Sequence, residues 1–165
     1  GMPMAQLEVR IASGELNAFG QDKIQLLFSA NKGMSLQELG KVASGGELSR
    51  LMLCLKSVVA DKTALPTLIF DEIDTGISGE VARKVGLLLA ELAKQHQLLS
   101  ITHLPQIAAC GQAHYFVYKV DAGERTASKV KLLTQDERVL EIAKMLSGDP
   151  PSSAAVENAR GLINN

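Results

Sequence analysis

Two adjacent carboxylates follow a short, mostly apolar segment, and their position suits the binding of a metal ion. Residues 67–70 follow Pro66 and end at Asp71 and Glu72, a pattern typical of a buried parallel strand. Ligands of open α/β sheets bind outside the carboxyl ends of the strands. One carboxylate there can hold Mg²⁺ against nucleotide phosphates, and the next can polarise an attacking water. Alone, the pattern also fits a strand that ends in a solvated acidic loop.

His103 follows a second short apolar segment, residues 98–102. A helix predicted over residues 79–95 separates the two segments, and such a strand–helix–strand unit makes a right-handed crossover between parallel strands. Because parallel strands end at the same edge of a sheet, we expect His103 and Glu72 to lie within reach of one phosphate. By itself, a histidine in this place also fits an ordinary loop residue that is satisfied by its neighbours.

A pair of glycines precedes the first predicted helix, in the segment Ser44-Gly45-Gly46-Glu47. Ser44 and Glu47 have the spacing of a capping box, which needs no ligand. Capping does not require Gly45 and Gly46, however, because glycine is a poor helix former. Two glycines leave backbone N–H groups bare at a helix N-terminus, where the helix dipole attracts anions. We therefore interpret this segment as a phosphate-binding site.

The sequence has no P-loop, the motif G-x-x-x-x-G-K-[ST] that cradles nucleotide phosphates. Its one Gly-Lys pair is Gly40-Lys41, but Ser35 occupies the position of the first glycine and Val42 follows the lysine. The chain therefore carries candidate metal and water ligands for nucleotide hydrolysis without the phosphate cradle.

The strands that position these residues follow from the apolar pattern. Two strands joined by a loop with Gly and Asn are predicted over residues 5–12 and 23–30, and residues 31–43 are predicted to be irregular. A hairpin is predicted over residues 115–120 and 129–133.

Helices are predicted where apolar residues recur at intervals of three and four. The first begins near Glu47, and its apolar face is Leu48, Leu51, Met52, Leu55, Val58 and Val59. The second, over residues 79–95, has the apolar stripe Val81, Val85, Leu88, Leu89 and Leu92. A helical turn is predicted at residues 107–110. A capping box from Thr134 to Glu137 opens a helix that runs to residue 146, and a last helix covers residues 153–163.

The composition excludes several classes of function. The 165 residues suit one domain, with 46% hydrophobic and 21% charged residues. The aromatic content of 4% and the absence of Trp argue against a surface that stacks nucleic-acid bases. A net charge of −1 gives no general attraction to DNA or membranes. The nearest basic cluster is Lys129, Lys131 and Arg138, which we interpret as a solvated face.

Neither a membrane segment nor a signal peptide is visible in the sequence. Cys54 and Cys110 are far apart in apolar surroundings, so we expect reduced, buried thiols. The histidines show no zinc-site spacing. Gly1 before Met2 suggests an added residue, and we expect the chain to be a piece of a longer protein.

Three segments together resemble the head of an ABC-type ATPase in its SMC-like form. Residues 41–50 resemble the signature motif, residues 71–79 the Walker B strand with the D-loop, and residues 100–106 the switch-histidine loop. They occur in the family's order at plausible spacing. The second and third segments are most similar to the RecN family, the bacterial SMC-like proteins of DNA double-strand-break repair. The resemblance covers about residues 20–150.

The resemblance implies an α/β fold, the C-terminal lobe of a P-loop NTPase ABC-type head with a mostly parallel sheet, flanking helices and peripheral β-hairpins. It implies one such lobe over residues 1–165, with the N-terminal Walker A lobe and the coiled coil outside this chain. Two heads would sandwich ATP and Mg²⁺ as a homodimer. ATP hydrolysis is expected in the full-length protein and not in this chain alone.

The same resemblance implies a bacterial, cytoplasmic, nucleoid-associated protein that acts in DNA repair and recombination. DNA would be a partner of the full-length protein, and whether this lobe contacts DNA directly stays open. No membrane partner is expected.

Roles of single residues are carried over by position in the motifs. Asp71 would serve Mg²⁺ through water, Glu72 would be the general base, and His103 would sense the γ-phosphate as the second catalytic residue. The residues expected to contact the nucleotide are Ser44, Gly45, Gly46 and Glu47 in the signature motif, acting on the opposite head, and Asp74 and Ser78 in the D-loop.

The D-loop departs from the common pattern in one place. The aspartate usually found six residues after the catalytic glutamate is Ser78 here, whereas Asp74 is retained as in SMC-type heads. Glu47 replaces the glutamine common in transporters, which also favours the SMC-like branch.

Two other interpretations remain open. The chain could be the head lobe of another SMC-like or RecF-like protein. It could also be a non-catalytic module that uses the fold to bind a partner or DNA, although such a module could dispense with Glu72, which is present.

Overall fold

The computed structural model of the chain describes residues 2–41, 45–63, 65–71, 73–123 and 125–164. The chain folds into two compact units, Gly1–Thr63 and Ala64–Asn165. The expectation that residues 1–165 form one lobe stays a prediction.

The first unit contains an antiparallel sheet and one long helix. Strands β1 (Gln6–Asn17), β2 (Gly20–Ser29) and β3 (Gln37–Glu38) pair in the order β1-β2-β3. A short 3₁₀ turn, Leu39–Lys41, precedes α1 (Gly45–Thr63). The two predicted strands are confirmed, but their ladder continues beyond the predicted ends to the pair Asn17 and Gly20, with an irregularity between Ser13 and Asn17.

The core of the first unit lies where α1 meets the end of β2. Leu51 of α1 packs with Phe28 and Ala30, and Leu55 is partly buried against the same cluster. The predicted apolar face of α1 is therefore wrong in part. Three of its members, Met52, Val58 and Val59, are exposed. The helical period identifies apolar positions, but the neighbouring element decides which of them are covered.

The second unit begins with the predicted parallel pair. Strand β4 (Thr67–Asp71) pairs in parallel with β5 (Gln97–Ile101), from Thr67↔Gln97 to Asp71↔Ile101, and α2 (Gly79–Leu92) forms the crossover. Only one face of this pair is covered. Phe70 is buried, whereas Ile69 is 63% exposed and its neighbours Leu99 and Ile101 are also exposed. The prediction of a buried strand thus holds for one face of β4.

Helix α2 uses small residues as well as large ones to pack. Its buried residues are Ala82, Val85, Gly86 and Leu89. Val85 and Leu89 of the predicted stripe are confirmed, but Leu88 is exposed. The helix ends at Leu92, three residues before the predicted end.

The remainder of the second unit is a hairpin among helices. The elements are α3 (Pro105–Ala108), β6 (Tyr115–Ala122), β7 (Arg125–Leu132), α4 (Gln135–Ser147) and α5 (Ser153–Asn164). The capping box of α4 is confirmed, since Thr134 Oγ1 accepts from Glu137 N at 3.4 Å and Glu137 Oε2 accepts from Thr134 N at 3.0 Å. Ala109 packs with the α4 and α5 core, which is Ile142, Ala143, Ala155 and Ala159.

The α/β class is confirmed by the parallel pair, the antiparallel hairpins and the flanking helices. In the described part of the chain, the parallel sheet has two strands and the other two sheets are antiparallel. None of the helices described is long and apolar enough to cross a membrane.

Candidate functional site

The candidate site lies at the carboxyl edge of the parallel pair. Strand β4 ends at Asp71, whose side chain is exposed and whose register partner is Ile101, two residues before His103. Asp71, the last residue of β4, and the loop with His103 after β5 therefore lie at the same edge of the pair. The prediction joined His103 with Glu72, which lies outside the described residues, so it stays a prediction.

A turn connects β4 to α2 and forms the predicted D-loop. Ile77 N donates to Asp74 O at 3.2 Å, and Ser78 is the N-cap residue of α2. Gly79 follows with a φ of +53°, a left-handed conformation that favours glycine. The Ser78 side chain is exposed and makes no capping hydrogen bond, so its hydroxyl is not used to hold the start of the helix.

Asp74 is a buried carboxylate that joins the D-loop to the loop after β5. Its side chain is 1% exposed. The single oxygen Oδ2 accepts from Thr102 Oγ1 at 2.5 Å and from His103 N at 3.0 Å, and it lies 3.2 Å from His103 Nδ1. Two hydrogen bonds and a ring nitrogen thus converge on this one carboxylate oxygen.

Thr102 extends this network along the switch-histidine loop. Its Oγ1 accepts from Leu104 N at 3.0 Å while donating to Asp74. Leu104 is the N-cap residue of α3, and the next residue, Pro105, is buried at the first helical position. The backbone is thus held on both sides of His103, whose side chain is 74% exposed. The arrangement fixes the loop and presents the imidazole to solvent.

Within the described part of the chain, the second oxygen of Asp74, Oδ1, is buried and has no hydrogen-bond partner. Leaving a buried acceptor unsatisfied costs about 1–3 kcal/mol. Such a group in a folded protein calls for an explanation, and a functional constraint is one of the usual ones.

The C-terminal side of α3 is held by Arg138 of α4. The Arg138 side chain is 8% exposed, and its Nη2 donates to Ala109 O and Gly111 O at 2.6 Å each. These carbonyls lie where a helix end leaves acceptors free. The interpretation of Lys129, Lys131 and Arg138 as one solvated face is therefore wrong for Arg138. Lys131 instead pairs with Glu137 at 2.5 Å.

Burial and the Arg138 charge change the acidity of two neighbours. Burial, followed by the positive charge of Arg138, lowers the pKa of His114 below its ordinary 6.5. Burial raises the pKa of the Cys110 thiol, and Arg83 and Arg138 oppose that effect. Both cysteines are free, as predicted, but Cys54 is exposed and Cys110 is half-buried, so the expectation of two buried thiols is wrong.

The signature segment lies in the first unit, at the start of α1. The helix begins at Gly45, where Ser49 Oγ donates to Gly45 O at 2.9 Å, and Gly46 is buried. A β-carbon built at Gly45 would have no heavy atom within 4 Å, so local packing does not explain the glycine. Glu47 is in the first turn. Ser44 lies outside the described residues, and so does its predicted capping contact.

The described residues offer one carboxylate for a metal ion. Among them no group of three His, Cys, Asp or Glu side chains could hold a metal, and Asp71 stands at the end of β4. Mg²⁺ commonly uses one or two carboxylates together with phosphate oxygens and water. The donor set therefore fits a cation shared with a nucleotide and does not form an all-protein cage.

The sequence did not single out Thr102 or Arg138 as site residues. The Asp74 side chain lies against Thr102 and His103, and its predicted contact with the nucleotide stays a prediction. A signal was present, because Asp74 follows the end of one predicted parallel strand and Thr102 ends its neighbour. Arg138 had no such signal, since its partners are backbone carbonyls.

No family model matches the chain. The chain is similar over nearly its whole length to bacterial proteins named DNA repair protein RecN. It is 41% identical to that of Vibrio cholerae serotype O1 over 158 residues, which are 96% of this chain and 28% of the relative. It is 48% identical to that of Deinococcus radiodurans over 164 residues, 99% of this chain and 28% of the relative. The chain thus spans about 28% of the length of these curated relatives.

Solved SMC heads share the fold. The Smc head domain with a coiled coil and joint from Pyrococcus yayanosii superposes with a TM-score of 0.70 at 18% identity, covering 88% of this chain and 27% of that one. A chain from a structural study of ATP-driven dimerisation and DNA-stimulated activation of SMC ATPases has a TM-score of 0.61 at 20% identity, covering 86% of this chain and 82% of that one. At these identities the similarity establishes the fold alone.

Proposed function

We propose that the chain forms the C-terminal lobe of an SMC-like ATPase head. It belongs to the RecN family of bacterial DNA repair proteins and matches their C-terminal part. The full-length protein would act in DNA double-strand-break repair and recombination. The observation that carries the proposal is the convergence of Asp71 and His103 on the carboxyl edge of the β4–β5 pair, with Asp74 joining their two loops.

The residues at this edge have different roles in ATP hydrolysis. Asp71 would hold Mg²⁺ through water, and the chemistry that the cation would supply there is positive charge beside the phosphate oxygens. Glu72, by its position after Asp71, accepts the proton of the attacking water. The exposed ring of His103 contacts the γ-phosphate. Asp71 supports this division because its side chain is exposed at the carboxyl end of β4, where it can meet an external ligand.

The signature segment binds the nucleotide of a second head. Gly45 and Gly46, with Ser44 before them and Glu47 after them, bring backbone N–H groups to the start of α1. The open space around Gly45 supports an external ligand, since no neighbour in the described chain requires glycine there. Ser78, whose hydroxyl does not cap α2, contacts the same nucleotide from the D-loop. ATP would thus join two heads as a homodimer, and hydrolysis would release them.

The phosphate cradle comes from an N-terminal lobe that carries the Walker A motif. The uncovered face of the β4–β5 pair supports this partner, because Ile69, Leu99 and Ile101 form an exposed aliphatic surface. Burying an aliphatic side chain of this size stabilises a contact by roughly 1.5–3 kcal/mol. DNA is a partner of the full-length protein, which we place in the bacterial cytoplasm at the nucleoid.

ATP hydrolysis tests the proposal directly. The chain is assayed alone and mixed with a separately prepared N-terminal lobe of a RecN-family protein. We expect activity only in the mixture, and its loss on Glu72→Gln, Asp71→Asn or His103→Ala. Asp22→Asn removes an exposed carboxylate from β2 and serves as the matched control that keeps activity.

Two results would contradict the proposed function. Hydrolysis that survives Glu72→Gln would remove the general base from the mechanism. A stable complex without hydrolysis, with or without DNA, would favour a non-catalytic module that binds a partner or DNA.

A further inference from the structure

We propose that Asp74 is a positioning residue for His103, which holds the imidazole in the Nδ1–H tautomer and leaves Nε2 as the nitrogen that meets the nucleotide. The proposal rests on the proposed function for its role in catalysis. Its structural half, the tautomer, can be measured without any nucleotide.

The tautomer follows from the hydrogen-bonding chemistry of the two groups. An ionised carboxylate only accepts hydrogen bonds. Asp74 Oδ2 lies 3.2 Å from His103 Nδ1, so a hydrogen bond between them requires the proton on Nδ1. Nε2 then accepts hydrogen bonds while the ring is neutral and donates only when the ring carries both protons.

The orientation of the ring follows from a second bond to the same oxygen. His103 N donates to Asp74 Oδ2 at 3.0 Å, so the backbone of His103 is bonded to the same oxygen that lies 3.2 Å from its ring nitrogen Nδ1. Thr102 Oγ1 donates to that oxygen too and links it to Leu104 N. The carboxylate therefore constrains both the loop and the side-chain rotation of His103.

Burial argues that Asp74 acts through His103 and not on the nucleotide itself. The Asp74 side chain is 1% exposed, whereas that of His103 is 74% exposed. A phosphate group outside the protein can meet the ring and cannot meet the carboxylate. This assigns Asp74 a different role from the nucleotide contact that its place in the D-loop suggested.

The tautomer is measured by NMR on the chain labelled with ¹⁵N-histidine. The chain has three histidines, so three single substitutions assign the signals. At a pH where the rings are neutral, two-bond ¹H–¹⁵N correlations distinguish Nδ1–H from Nε2–H. We expect Nδ1–H for His103. Finding His103 as Nε2–H, the form that free histidine favours, would overturn the proposal.

Two variants distinguish the positioning of the His103 ring from a general stabilisation of the loop. In Asp74→Asn the amide can donate to Nδ1, so we expect His103 to shift towards Nε2–H. In Thr102→Val, Asp74 Oδ2 loses the hydrogen bond from Thr102 but keeps its contact with the His103 ring. The His103 tautomer should therefore stay Nδ1–H. If circular dichroism shows that Asp74→Asn does not fold, the tautomers of His103 in the wild type and in Thr102→Val still test the structural part of the proposal.

The catalytic half is measured in the reconstituted head. We expect Asp74→Asn to lower kcat by roughly 10–100-fold, the range found for residues that orient a metal-ligating histidine, with a much smaller change in KM for ATP. Thr102→Val should lower kcat less. An unchanged kcat in Asp74→Asn would refute the positioning role, whereas an inactive wild-type mixture would refute the proposed function and leave the tautomer result standing.

Discussion

Gly86 of α2 lies directly against Cys110 at the C-terminal side of α3. A β-carbon at Gly86 would be 2.8 Å from Cys110 Sγ, 3.0 Å from Gln106 O and 3.3 Å from Ile107 Cα. Two of these three atoms are backbone, so they cannot move away as a flexible side chain can. The contact brings the helix that follows the D-loop onto the helix that follows His103.

Gly86→Ala should therefore destabilise the chain, although alanine is the better helix former. Overpacking of a close contact costs about 1–3 kcal/mol, which exceeds the gain of about 0.4–1 kcal/mol from replacing glycine in a helix. The measurement is the free energy of unfolding in urea. Gly161→Ala in α5 is the matched control, because a β-carbon there meets no atom within 4 Å, and it should stabilise the chain. Equal effects of the two substitutions would show that the α2–α3 contact is looser than described.

Arg138→Met should destabilise the chain by about 3–6 kcal/mol. The substitution keeps much of the apolar stem but removes two hydrogen bonds from a charged donor, each worth about 1.5–3 kcal/mol, and leaves Ala109 O and Gly111 O without them. Arg160→Met, on the exposed side of α5, is the control and should change the unfolding free energy by less than about 0.5 kcal/mol. A similar loss from both variants in urea denaturation would argue against a specific role for the buried guanidinium.

The stability of the chain should depend on pH through His114. Its pKa is lowered in the folded state, so between the folded value and the ordinary 6.5 the unfolded chain binds more protons than the folded chain. The free energy of unfolding therefore falls as the pH decreases through that window and levels off below it. The measurement is the difference in unfolding free energy between wild type and His114→Gln at several pH values.

Arg138→Met provides a second test of the same pKa. Burial is the larger cause of the shift and the Arg138 charge is the smaller one. The substitution should raise the pKa of His114 only part of the way, as followed by NMR titration. A difference between wild type and His114→Gln that does not vary from pH 5 to 8 would show that the His114 pKa is ordinary.

Leu99→Gln should weaken binding to the Walker A lobe without unfolding the chain. Leu99 belongs to the uncovered face of the β4–β5 pair and is 47% exposed, so the substitution removes apolar area that the proposed partner would bury. We expect a loss of about 1 kcal/mol, or roughly fivefold in Kd by calorimetry. Leu140→Gln on α4 removes a leucine of the same 47% exposure and should leave Kd unchanged. If Leu140→Gln weakens binding as much, the partner surface includes α4.

Much of the local structure could be predicted because it depends on residues close together in the chain. The capping box at Thr134 and Glu137 joins groups three residues apart, and the helical and strand periods follow from backbone geometry. The parallel pairing of β4 and β5 was also predictable. Two strands joined by a helix of the length of α2 almost always form a right-handed crossover, in which the strands are parallel. That placed Asp71 and His103 on one edge.

The tertiary structure alone decided how the groups at that edge meet. Asp74 and His103 are 29 residues apart, as are Arg138 and Ala109. Whether such groups touch depends on the packing of whole elements, which no local pattern records. The same holds for burial, because Leu88 and Ile69 are apolar and yet exposed. The sequence by itself determined which elements form and which chemical groups end them, and only the packing made Asp74 the buried partner of an exposed histidine.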